Sequence, residues 1–250
     1  MVTLRVPYHL DEYLPDLDFP LGEAEVITAD LPPGDTWARL AALYRQVAGA
    51  VADAVHHGRR PVVLSGDCTT ALGTVAGLQH AGVDPGIVWF DAHGDVQTLE
   101  TTTSGYLGGL PLRLLVGYRP GLIAADLGLR PVAEQRVVLA GARDLDPPEI
   151  AYLETARIGR ARVAELDAAA LPDGPLYVHL DLDVIDPAAV PGLRYPAPGG
   201  PGCAQVTAAL GTVLATGRVA AVGIACTWRP GHAAAGAVDS HLKAALGAAG

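Results

Sequence analysis

The stretch GIVWFDAHGDVQT, residues 86–98, is apolar for five positions and then turns acidic within a single step. The run Gly86–Phe90 lacks polar alternation, as expected of a strand buried on both faces. Similar runs recur at 61–64, 136–140, 176–180 and 220–225, each bounded by turn residues. Alanine-rich stretches compatible with helices lie between them, at 36–57, 69–81, 147–159 and 203–216, with a terminal helix beyond. Strands alternating with helices predict a doubly wound, mainly parallel sheet covered on both faces, a three-layer α/β/α architecture. At 250 residues the chain is expected to form one domain over 1–250.

Composition narrows the function. Lys and Arg number 17 against 27 Asp and Glu, a formal charge of -10. No basic stripe is available to neutralise a phosphate backbone, so nucleic acid is not an expected partner. No segment approaches the roughly 18 uninterrupted apolar residues of a membrane span, and the N-terminus has no apolar core of signal-peptide length. A cytoplasmic location without membrane attachment is the expectation. The three cysteines, Cys68, Cys203 and Cys226, form an odd count with no CxxC spacing, which reads as reduced thiols. Cys226 reads as a small buried hydrophobe and Cys203 as a loop residue.

Polar chemistry gathers where the strands end, which is where open α/β sheets bind ligands. In DAHGD, Asp91, His93 and Asp95 occupy alternate positions, so extended backbone sends all three to one side. Asp181 and Asp183 of HLDLDVIDP share a face in the same way, whereas Asp186 before Pro187 reads as a turn former. Carboxylates gathered at the end of a buried sheet require a compensating cation. With Cys68 of SGDCTTALG, six candidate ligands emerge, and an oxygen-rich set with one imidazole suits two divalent ions of the Mn type. Such a pair, about 3.5–4 Å apart, activates water for hydrolysis.

These motifs resemble those of the ureohydrolases: SGDCTTALG is similar to GGDHS, IVWFDAHGDVQT to DAHTD, and HLDLDVIDP to SFDVDGLDP, in the same order from about residue 61 to 230. The arginase branch is the nearest likeness, because TTTSG (101–105) resembles the loop that receives the amino-acid end of the substrate. GARDLDPPE (141–149) resembles the segment that meets the α-amino group. The resemblance implies Thr102 and Ser104 at the carboxylate, and Asp146 and Glu149 at the ammonium. It implies Cys68, Asp91, Asp95 and Asp181 around a first metal, and Asp91, His93, Asp181 and Asp183 around a second, with Asp91 and Asp181 bridging. Asp95 would relay the catalytic proton. The arginase-like fold and assembly into trimers or hexamers are implied by the resemblance alone.

The departures from that pattern are chemical. Cys68 stands where arginases have a histidine ligand, so the first site is expected to be altered or empty. Gly108 replaces a proton-transferring histidine, and Gln97 and Tyr106 replace two asparagines of the amino-acid loop. In ACTWRP, Thr227 stands where a glutamate would meet the guanidinium. A guanidinium without its carboxylate loses a charge-assisted bond worth about 1.5–3 kcal/mol. The expected substrate is therefore a guanidino α-amino acid or its less basic N-hydroxyguanidino relative; a cysteine at this ligand position is shared with ureohydrolases that act on N-hydroxyarginine. Urea or a hydroxyurea would leave with an ornithine-like amine. Three other readings stay open: a nucleophilic Cys68 with His93 as base, a single-metal amide hydrolase of the deacetylase kind, and a catalytically silent binding protein. His179 would support the ligands, and Tyr8 and His9 would lie at the substrate rim.

Overall fold

The structure is a computed structural model that describes residues 1–248. The chain opens with β1 (Val2–Val6), a small antiparallel hairpin of β2 (Tyr8–His9) and β3 (Glu12–Tyr13), and the short strand β4 (Glu25–Val26). It continues through α1 (Thr36–His56), β5 (Pro61–Ser65), α2 (Ala71–His80), β6 (Gly86–Phe90), α3 (Pro111–Leu115), β7 (Val137–Ala140) and α4 (Pro147–Thr155). The last elements are β8 (Gly159–Ala161), β9 (Leu176–Asp181), α5 (Cys203–Leu214), β10 (Val219–Ala225) and α6 (Ala234–Gly247).

Eight strands form one sheet in the order β4-β1-β5-β10-β9-β6-β7-β8, every pair parallel. Alternate residues serve opposite faces. Ile87 and Trp89 join one core with α1 and α2, while Val88 and Phe90 join the other with α5 and α6. The three-layer expectation therefore holds, with the central strands buried on both sides. Cys226 is buried as expected, whereas Cys203 opens α5 instead of lying in a loop.

Helix α1 starts where the Asp35 side chain accepts from the Ala38 amide at 2.9 Å. Its buried stripe, Leu40, Leu43, Tyr44, Val47 and Val51, follows helical spacing and packs on α2. Gly73 and Gly77 make that packing close: a Cβ on Gly77 would lie 2.6 Å from the Ala48 carbonyl oxygen and 2.7 Å from the Val51 Cβ. Other boundaries moved. The segment expected to be helical from 69 begins as a tight 3₁₀ turn, Cys68–Thr70, because the Asp67 carboxylate caps the Thr69 amide at 2.8 Å. Helix α4 ends at Thr155, and the chain beyond it becomes the edge strand β8. Strands β1, β4 and β8 were not expected, since none carries a continuous apolar run.

Register positions the site. Phe90 pairs with Leu180, Leu180 with Ile224, and Ala225 with both Asp181 and Ser65. The segments leaving β5, β6, β9 and β10 therefore emerge side by side at the carboxyl edge. Gly77→Val is expected to lower unfolding stability by about 1–3 kcal/mol through overpacking. Gly49→Ala, on the exposed side of α1 with nothing near its added Cβ, should instead be neutral or stabilising by up to about 1 kcal/mol. Urea denaturation of the two variants checks the pair.

Candidate metal centre

Four segments deliver the polar groups. The turn after β5 brings Cys68, the segment after β6 brings Asp91, His93 and Asp95, the end of β9 brings Asp181 and Asp183, and the end of β10 brings Thr227. Asp91, Asp95, Asp181 and Asp183 are all buried. Asp91 accepts from the His93 amide at 2.7 Å and from the Trp89 indole nitrogen at 3.0 Å. Asp181 accepts from the Asp183 amide at 2.8 Å, the Cys68 thiol at 2.8 Å and the Thr227 hydroxyl at 2.6 Å.

Two groups of ligand atoms result, Cys68 with Asp91 and Asp181, and Asp91 with His93 and Asp183, the atoms of each group lying within 4.8 Å of one another. Asp91 belongs to both. The Asp95 carboxylate stands outside either group, although it lines the same pocket. Its Oδ2 is buried without a hydrogen-bond partner among the described residues, and its backbone is held at φ +54°, a region few residues other than glycine adopt.

Electrostatics explains what this cluster lacks. Burial, then the charges of Asp91 and Asp181, pushes the Asp95 carboxyl well up; burial, then Asp183 and Asp91, does the same to Asp181. Asp183 is raised to about 6, by burial and then by Asp91. Burial works against a charged His93, but its bonds to Asp183 and Asp91 prevail and lift it to about 12. Burial would also raise Asp91, yet the bonds and charge of His93 hold it below the usual range. The His93 Nδ1 sits 3.3 Å from Asp91 and 3.2 Å from Asp183. Without metal, protons on His93 and the carboxyls supply the missing positive charge. A buried, oxygen-rich donor set with an orphaned Asp95 Oδ2 fits divalent cations, which would displace those protons.

Burial, then Asp181, Asp95 and Asp91, pushes the Cys68 thiol well up. An independent cysteine nucleophile needs the reverse.

The pocket continues from this cluster to the residues expected at an amino-acid end. Thr102 and Ser104 line it from an exposed loop, and the Thr102 hydroxyl accepts from the Gly105 amide at 3.1 Å. Gln97 donates to Asp146 at 2.8 Å. Glu149 is buried beneath them and accepts from the Asp146 amide at 3.1 Å and the Val96 amide at 3.3 Å. Tyr106 also lines the pocket. Asp186 accepts amides of Ala188, Gly199 and Gly200 and so ties a turn.

Two contributors escaped the sequence reading. Tyr195 lines the pocket from a proline-rich segment without periodicity. The Trp89 indole reaches Asp91, and the spacing of two along a strand was the available signal. His179 supports this pair: its ring stacks on Trp89 at 3.7 Å and meets the Tyr177 hydroxyl at 3.1 Å.

The family model described as the arginase family matches residues 4–227. An arginase of Bacillus caldovelox is 36% identical over 201 residues, covering 73% of this chain and 66% of that protein. An arginase of Eremothecium gossypii is 40% identical over 167 residues, covering 60% and 42%. The matched stretches thus span less than two thirds of these curated relatives. The solved structure of the Bacillus caldovelox arginase superposes with a TM-score of 0.82 at 25% identity, covering 99% of this chain and 97% of that one.

The raised groups set a pH dependence. A carboxyl raised by folding stabilises the fold below its ordinary range, and that contribution is lost as pH rises, through about 6 for Asp183. His93 acts with the same sign, its contribution complete below about 6.5 and declining above. Chelator-treated protein should therefore lose stability from pH 5 to 8, and added Mn²⁺ should restore it with release of protons. Urea midpoints with chelator and with Mn²⁺ check this; a flat profile indifferent to Mn²⁺ would contradict it.

Proposed function

The chain belongs to the arginase family, and from that premise we propose that it hydrolyses the linear amidine C–N bond of a guanidino α-amino acid, the N-hydroxyguanidino form in preference to plain arginine. The observation that carries the preference is Thr227. Its hydroxyl proton is spent on Asp181 at 2.6 Å, so it offers the substrate's distal end a neutral acceptor and no charge. A permanent guanidinium cation forgoes a charge-assisted bond there, whereas a less basic N-hydroxyguanidine binds neutral and forgoes little.

Cys68, Asp91, Asp95 and Asp181 would hold one divalent cation, and Asp91, His93, Asp181 and Asp183 a second, with Mn²⁺ suiting the oxygen donors and the thiolate favouring a softer or weaker first site. Bound there, the cations supply charge neutralisation and a water of lowered pKa as nucleophile. The chain's own groups do the rest. Asp95 takes the proton of the attacking water on its unpaired Oδ2 and returns it to the leaving nitrogen. Thr102 and Ser104 donate to the α-carboxylate, and Asp146 and Glu149 accept from the α-ammonium. Gln97, tied to Asp146 and to the Thr101 hydroxyl, keeps that end in place. Products are an ornithine-like amine with urea or hydroxyurea.

Among the described residues, no helix is long and apolar enough to cross a membrane. A single hydrolase domain working in the cytoplasm as a homo-oligomer, trimer or hexamer, completes the proposal.

Product analysis of the Mn²⁺-loaded protein on arginine, N-hydroxyarginine and agmatine tests it. Hydroxyurea from N-hydroxyarginine is expected to form fastest, and agmatine, lacking the α-carboxylate, to be poor. Asp95→Asn should cut kcat by about 100-fold or more. Turnover of no guanidino amino acid, or arginine preferred over its N-hydroxy form, would contradict the reading.

A further inference from the structure

Gly108 sits in the tight turn Leu107–Gly109 and is buried. A Cβ placed on it would fall inside van der Waals contact of the phenol end of Tyr106, on Cε1, Cζ and the hydroxyl oxygen. The space above Gly108 therefore belongs to the Tyr106 ring. Two rings pack against it: His9 stacks at 5.7 Å and 13°, and Tyr195 lies tilted at 4.7 Å.

His9 comes from the β2-β3 hairpin, far from the pocket loops in sequence, and it is buried. Its Nδ1 lies 2.9 Å from the Gly66 carbonyl oxygen. A carbonyl only accepts, so Nδ1 carries the proton, and in that tautomer Nε2 is an acceptor. The Tyr106 hydroxyl, 3.3 Å away, donates to it. Its proton committed, the phenol oxygen keeps its lone pairs for the pocket. The hairpin itself is pinned, since the Leu10 amide donates to Asp67 at 2.6 Å and Leu10 is held at φ +53°. Burial, followed by the charges of Asp67, Tyr195, Cys68 and Asp181, raises the phenol pKa. The hydroxyl is thus protonated, and the turn Leu107–Gly109 beneath it packs against the turn Cys68–Thr70 in the same pocket.

We infer that His9 is a positioning residue that locks Tyr106 over Gly108, and that the Tyr106 oxygen so presented is a specificity-determining acceptor for the N–H or N–OH of the substrate's distal group. This rests on the functional reading above and deepens it. Tyr106 and Thr227 share one chemistry, neutral hydroxyls whose protons are bound to the protein and whose lone pairs face the ligand. Together they select a polar but uncharged distal group.

The test compares the Mn²⁺-loaded protein with Tyr106→Phe, which keeps the ring, His9→Phe, which keeps the stack but removes the acceptor, and the double variant. Loss of one neutral hydrogen bond should raise KM for N-hydroxyarginine about three- to tenfold, with kcat little changed and the preference over arginine reduced by the same factor. The double variant should be no worse than either single one, and Mn²⁺ affinity by titration should be unchanged in all three. Unchanged KM in Tyr106→Phe, additive effects, or Mn²⁺ affinity falling with KM would each overturn the inference while leaving the functional reading intact. A native protein that binds no guanidino amino acid would overturn both. A thermal-unfolding cycle tests the shared volume without substrate: Gly108→Ala should lower Tm beside Tyr106 and have little effect in a Tyr106→Ala background. Equal losses in the two backgrounds would overturn it.

Discussion

Everything in this molecule's polar centre follows from the cost of holding like charges together out of water. Asp91, Asp95, Asp181 and Asp183 are all buried, the last three lining one pocket, and an uncompensated ion in such surroundings costs several kcal/mol. The protein itself can offer protons, on His93 and on carboxyls lifted toward neutrality. A pair of divalent cations offers more charge and leaves the carboxylates free to work as ligands and proton carriers.

The sheet is what makes such a gathering possible. Parallel strands in register end together, so residues distant in sequence leave β5, β6, β9 and β10 as neighbours. Backbone amides and the Trp89 indole then fix individual oxygens of Asp91 and Asp181. Cys68 enters this frame as a neutral thiol bonded to Asp181, in a microenvironment whose negative charges oppose thiolate formation unless a cation is present. The surrounding hydroxyls of Thr227 and Tyr106 donate inward to the protein and leave acceptors for a ligand.

Much of this was legible in the sequence for a physical reason. Strands buried on both faces write continuous apolar runs, and the abrupt acidity after Phe90 and at Asp181 marked where they stop. The DxHxD and DxD spacings gave the shared face of each acid set. Edge strands such as Gly159–Ala161 left no such trace, because few of their side chains are buried. Neither did the contacts of Tyr106 with His9 and Tyr195, which unite a hairpin and two loops whose meeting depends on tertiary packing. Neither the positive φ of Asp95 nor its separation from the two ligand groups left a mark in the residue spacing.

The central claim is that the acid cluster exists to hold two cations that share Asp91. Metal content per chain, measured after equilibration with Mn²⁺ and removal of excess, tests it most directly. Two ions per native chain, falling to one in Cys68→Ala, is the predicted result; no bound ion at neutral pH, or a single ion unaffected by Cys68→Ala, would contradict the account.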